Sequence, residues 1–147
     1  MIVSKFLHVL AAVIWVGGMF FAYVALRPAA AETLEPPARL KLWAATFRRF
    51  FPWVWAAVVV ILGSGFHMLG MLGRTPVYVI TMLLLGVVMA VIYFYVYFSP
   101  FAELKSGCER QDWKAAGAAL SRIRVLVGVN LTLGLLTVAV AILGRLV

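Results

Sequence analysis

Residues Val77–Phe98 read VYVITMLLLGVVMAVIYFYVYF, an unbroken run with no Asp, Glu, Lys or Arg. A helix rises about 1.5 Å per residue, so the run can cross the roughly 30 Å hydrocarbon core of a bilayer. In water it would have to be a buried core helix, covered by charged surface from the rest of the chain. That surface is missing. Of 147 residues, 65% are hydrophobic and only 12% charged, and the mean hydropathy is +1.07; soluble domains carry about 25% charge. Three more runs, 6–26, 50–72 and 125–143, are equally free of charge and long enough to span. The first is too long for a signal-peptide core and has no convincing cleavage site, so it reads as a retained helix. The expected fold is all-α: a single four-span domain over 1–147, an integral membrane antiparallel four-helix bundle with the lipid bilayer as its first partner.

The remaining classes fall away on composition. Cys108 is the only cysteine, which excludes a disulfide scaffold. The net charge is +8, but the basic residues sit in short connections between apolar runs, which argues against nucleic-acid binding. Those connections predict orientation instead. Ten of the thirteen Lys and Arg fall in the first and third connections: Arg27, Arg39, Lys41, Arg48, Arg49, Lys105, Arg110, Lys114, Arg122 and Arg124. Lys5, Arg74 and Arg145 make up the other side. The bias places the long connections in the cytoplasm and both termini outside. Aromatic residues gather on the same side, Trp43 to Trp55 before and into the second span and Tyr93 to Phe98 at the end of the third, as interfacial anchors do.

The first connection carries a pattern of its own. After Pro36 and Pro37, Leu40, Trp43, Phe47 and Phe50 recur at three- and four-residue steps among basic residues. This predicts a short interfacial helix near 38–49 that runs into the second span, with Pro52 as a point of bending. In the third connection Asp112 is placed to cap a helix starting at Trp113.

Small and polar residues mark candidate inward faces, because lipid tails give apolar helices no reason to associate and close backbone approach does. The stripes are His8, Ala11, Ala12, Trp15, Gly18 and Ala22; Ala56, Val60, Gly63, Ser64 and His67; Met82, Gly86, Met89 and Tyr93; and Asn130, Gly134, Thr137 and Ala141. Asn130 is expected to form an interhelical hydrogen bond, and Arg122 and Arg124 to anchor the chain at the interface.

Both histidines of the chain lie within spans. His8 opens the first and His67 nears the end of the second, so in antiparallel helices they share a depth near the outer side. Ionisable groups within spans are costly and usually functional. Met71 follows His67 by four residues, and Met82 enters the third span at comparable depth. Two imidazoles and a thioether suit Cu(I); two imidazoles alone suit a six-coordinate haem b, with Gly63, Gly65 and Gly70 giving room for the ring. The plainer reading of a membrane histidine is a hydrogen bond to a carbonyl or hydroxyl of a neighbouring helix. Other chemistries lack parts: no carboxylate lies within a span, and Cys108 is across the membrane from both histidines.

Several segments also resemble a known family. Lys5-Phe6-Leu7-His8 followed by Trp15-Val16-Gly17-Gly18-Met19-Phe20 resembles the opening helix of the copper resistance protein D (CopD-like) membrane family. Arg48-Arg49-Phe50 with Pro52 and Gly63-Ser64-Gly65 is similar to its second helix. Arg122-Ile123-Arg124, Asn130-Leu131 and Gly134 are similar to its short, stand-alone members. The resemblance implies copper uptake or tolerance at a bacterial inner membrane, with His8 matching the histidine of the opening motif. The opening also resembles the HemJ-type four-helix proteins, which have an early histidine, a following tryptophan and haem b. The third span here lacks the lysine of that family, which speaks against its oxidase reaction and leaves haem open.

Three functions are therefore expected. One is a non-enzymatic copper-handling protein with His8 and His67 as ligands and Met71 or Met82 as a third, in which transport would call on a second copy or a membrane partner. Another is a haem b redox protein with the same histidines as axial ligands. The last is a structural membrane subunit with inert histidines.

Overall fold

The computed structural model describes residues 1–146, and among them there is no strand. The order is α1 (Ile2–Phe20), a π-helical turn (Phe21–Leu26), α2 (Arg27–Thr33), α3 (Pro36–Gly70), α4 (Val77–Phe98), α5 (Pro100–Glu109) and α6 (Trp113–Leu143). Four continuous rods, Ile2–Thr33, Pro36–Gly70, Val77–Glu109 and Trp113–Leu143, are apolar enough to cross a membrane and are 31 to 35 residues long. At 1.5 Å per residue that is about 46–52 Å, well beyond a hydrocarbon core of about 30 Å. Each rod therefore projects from the bilayer. The projections carry α2, the start of α3, α5 and the start of α6, where the charges cluster; this is called the basic end. The opposite end holds the start of α1, the end of α6 and the 71–76 turn, and is called the terminal end.

Residues 38–49 are helical, as expected, and form the first part of α3, which continues through Pro52 without interruption. The first span runs on past its expected limit at residue 26. Its π turn has a local cause. Pro28 has no N–H for the Val24 carbonyl four residues back and its ring crowds that carbonyl, so the preceding turn widens to a five-residue register, with the Arg27 N–H on the Ala22 carbonyl and no backbone donor left for that of Tyr23. The Arg27 Nε donates to that carbonyl instead at 3.3 Å, and its guanidinium lies 4.4 Å over the Tyr23 ring. Between α5 and α6 the chain turns at Gln111, whose φ of 56° is left-handed. The Asp112 carboxylate then accepts from the Ala115 N–H at 3.2 Å, the cap its position predicts.

The rods pair as two hairpins, α1 with α3 and α4–α5 with α6. Glycine sets the spacing inside the second: a Cβ on Gly107 would sit 3.0 Å from the backbone nitrogen of Ala116. The hairpins join at an aromatic core. Phe51 stacks on Phe47 at 4.9 Å and meets Phe101 and Tyr93 edge-on at 4.8 and 5.5 Å. The Tyr93 hydroxyl donates to the Phe51 carbonyl at 3.1 Å, and the Asn130 amide donates to the Met89 carbonyl at 3.1 Å. Asn130 thus makes the expected interhelical bond. Its Oδ1 is buried without a partner and borders a void of about 20 Å³, enough for the one water that would satisfy it.

Burial stops short of the terminal end. The buried residues nearest to it are Ala11 on α1, Val58 on α3, Met89 on α4 and Gly134 on α6. The inward faces agree with expectation at Ala11, Trp15 and Ala22, at Met89 and Tyr93, and at Asn130 and Gly134. On α3 the expected face agrees only in part: Val60 and Ser64 are half-buried. Phe51, Val54, Ala57 and Val58 point inward, while Ala56, Gly63 and His67 are exposed. Small size alone was an incomplete criterion there, because this helix enters the core with Phe51, Val54 and Val58 beside Ala57.

Candidate metal site at the terminal end

Ser4 and His8 are four residues apart on α1, and Ser64 and His67 are three apart on α3, so each pair lies on one helical face. The helices run antiparallel, which reverses the order of serine and histidine across the contact. The structure joins them crosswise. His8 Nδ1 is 2.9 Å from Ser64 Oγ, and His67 Nδ1 is 3.0 Å from Ser4 Oγ. The two imidazoles consequently sit about one turn, roughly 5.4 Å, apart along the bundle axis. His67 is the outermost and is exposed; His8 lies one turn further in and is half-buried.

One proton assignment follows from the serine. A hydroxyl has a single hydrogen, and Ser64 directs its own at the helix carbonyl of Val60, 2.5 Å away. The Ile61 carbonyl lies 3.2 Å from the same hydroxyl, so the Ser64 hydrogen serves the helix backbone, and the His8 tautomer protonated on Nδ1 is the one that lets Ser64 Oγ accept as well. In a neutral imidazole that leaves a lone pair on Nε2. Both rings are tied to the neighbouring helix through Nδ1, and the Ile61 carbonyl lies beside the His8 ring as a further acceptor. A ring held through Nδ1 with a bare Nε2 is the arrangement in which protein imidazoles usually meet a metal.

The remaining expected ligands stand further off. Met71 caps the C-terminus of α3 in the turn after Gly70 and is exposed, one turn beyond His67. Met82 is half-buried on α4, which packs on α6, so it belongs to the other hairpin. The described residues contain no cluster of three His, Cys, Asp or Glu side chains. Of the glycines expected to make room for a porphyrin, only Gly65 faces the site, its missing Cβ lying 3.6 Å from His8 Cε1. Gly63 and Gly70 have no neighbour there. The two His–Ser bonds hold α1 and α3 in direct side-chain contact, closer than a macrocycle between axial imidazoles allows. Ser4 and Ser64 are the residues that sequence reasoning passed over as partners. The signal was the reversed order of Ser and His on two helices expected to be antiparallel.

Residues 44–143 match the family described as Copper resistance protein D. No curated protein and no solved structure matches the chain. The matched stretch begins inside α3 and covers the last three spans, so it contains Ser64 and His67 and leaves out α1 with Ser4 and His8. The likeness to HemJ-type proteins has no counterpart in these comparisons. With more than half of its length matched, the chain belongs to the copper resistance protein D family.

Proposed function

We propose that this protein handles Cu(I) as cargo at the outward face of a bacterial inner membrane, with His67 as the capturing ligand and His8 as the receiving one. The observation that carries the reading is the crossed pair of His–Ser bonds, which orients both rings through Nδ1 and so turns Nε2 toward use as a ligand. Cu(I) accepts low coordination by imidazole and thioether. Exposed His67, with Met71 one turn beyond, meets the ion first, and half-buried His8 offers a second nitrogen one turn deeper. Ser4 and Ser64 are positioning residues, since they hold the rings without touching the ion. Beneath His8 the bundle closes on Ala11 and Trp15. Passage across the membrane would require these helices to repack or a second protein to complete the path. The same hydroxyl bonds would also satisfy inert structural histidines; the lone pair on His8 Nε2 favours a ligand.

The test is a Cu(I) competition titration of the purified protein against a chromogenic chelator. Wild type is expected to bind about one equivalent. His8→Ala and His67→Ala should each weaken binding at least tenfold, and Ser64→Ala by about 10- to 100-fold, the range typical of groups that orient a ligand. Copper affinity unchanged in both histidine variants would overturn the reading. A Soret band in the purified protein, lost in His8→Ala, would replace copper with haem.

A further inference from the structure

Three arginines from three separate elements converge on one cavity at the basic end. The cavity has a volume of about 280 Å³ and lies between the π turn with α2, the start of α3, and α6. Arg27, Arg39 and Arg124 line it, together with Ser121, Tyr23 and Trp43, and no acidic side chain does. The one ion pair among the described residues, Arg122 with Glu103, joins α5 to α6 and leaves these three guanidinium groups without a carboxylate. Arg27 is fixed in place by its bond to the Tyr23 carbonyl and its seat over the Tyr23 ring, which leaves its terminal nitrogens unused. Like charges gathered around a cavity repel one another unless an anion sits among them. Planar guanidinium groups match phosphate oxygens in geometry, and a serine hydroxyl adds a further donor.

We propose that this cavity binds a phosphate anion, in the form of the phosphodiester headgroup of an anionic phospholipid. Its place favours that form. It lies where the spans leave the apolar region, and its charged wall is continued by Leu40, Leu120 and Val127, along which a lipid stem can run. The volume is at the low end for a ligand pocket and accommodates a headgroup, not a whole lipid, so the acyl chains stay in the bilayer. Basic pockets between helices on the positively charged side of a membrane protein bind such headgroups.

The experiment is native mass spectrometry of the full chain, titrated with phosphatidylglycerol or phosphatidylcholine, and with inorganic phosphate as a competitor. One phosphatidylglycerol is expected to be retained, and phosphatidylcholine at least tenfold less. The double variant Arg39→Gln/Arg124→Gln should lose retention at least tenfold. Arg48→Gln/Arg49→Gln, which removes the same charge from exposed positions outside the cavity, should keep it. Gly117→Leu provides a charge-neutral check that survives any folding defect of the arginine variant. A Cβ on Gly117 meets open space, so the larger side chain should fold, fill the cavity and expel the lipid. Displacement by millimolar phosphate, with the same variant pattern, would assign the site to the free anion as well. Equal loss in both double variants, or retention unchanged in Arg39→Gln/Arg124→Gln and Gly117→Leu, would overturn the proposal.

Discussion

The two ends of this bundle are built on opposite principles. At the basic end Phe47, Phe51, Tyr93 and Phe101 interlock, a lysine lies 5.5 Å over Trp113 and another 4.6 Å over Phe101, and Arg122 pairs with Glu103. At the terminal end no described residue is buried, and the two imidazole–hydroxyl bonds are the side-chain hydrogen bonds between α1 and α3. Close-packed rings dominate one end, and at the other hydrogen bonds join α1 to α3 beside looser apolar contacts. The first suits a fixed base, because a packed core has one good arrangement. The second suits an exchange site, since a ligand bonded through Nδ1 can take up and release an ion without disturbing a core. A histidine buried at the level of Phe51 could do neither.

Substitutions sharpen or break that contrast. The largest loss of stability is expected for Phe51→Ala, about 3–5 kcal/mol on the scale of large-to-small changes at packed aromatic positions. Its measure is denaturation in mixed micelles. Gly107→Ala should follow with about 1–3 kcal/mol, because the added methyl must push the Ala116 backbone away; the same unfolding curves report it. Asn130→Leu removes the bond to Met89 and also the unpartnered carbonyl. Its expected cost is about 1 kcal/mol, the usual size of an interhelical hydrogen bond in a membrane. At the terminal end Ser64→Ala should change stability by less than about 1 kcal/mol for the same reason, while copper affinity falls as described above. The smallest effect is expected for Gly63→Ala, where a Cβ meets nothing: no loss, or a gain of up to about 1 kcal/mol from helix propensity. If Ser64→Ala destabilised the protein as much as Phe51→Ala, the division between the ends would be lost.

The spans were legible because charge-free runs of about twenty residues leave few alternatives. The Asp112 cap and the Asn130 bond were legible because each depends on one residue and its immediate helix. The inward face of α3 was legible only in part. The rule of small residues inside describes helices in close backbone contact, and α3 instead reaches the core through Phe51 and Val54. The π turn was hidden because its cause, Pro28, acts one turn upstream, by crowding the Val24 carbonyl and offering it no N–H. The arginine cavity was hidden more completely. Arg27 and Arg39 entered the sequence reading only as part of the charge bias and Arg124 as an interfacial anchor, and only the folding of three elements brings them to one wall. The histidines lie at the same end of α1 and α3, about one turn apart. Their serine partners emerge only when the two helices are set side by side and the order of Ser and His is compared.

The central claim is that His8 is protonated on Nδ1 and offers Nε2 to copper. Solid-state NMR of the protein in bilayers, with ¹⁵N-labelled histidine and His67→Ala to isolate the remaining ring, measures this directly. A protonated Nδ1 and a bare Nε2 are predicted, with Cu(I) moving the Nε2 resonance and leaving the Nδ1 proton in place. A ring protonated on Nε2, or one whose two nitrogens are unmoved by saturating Cu(I), would contradict the account.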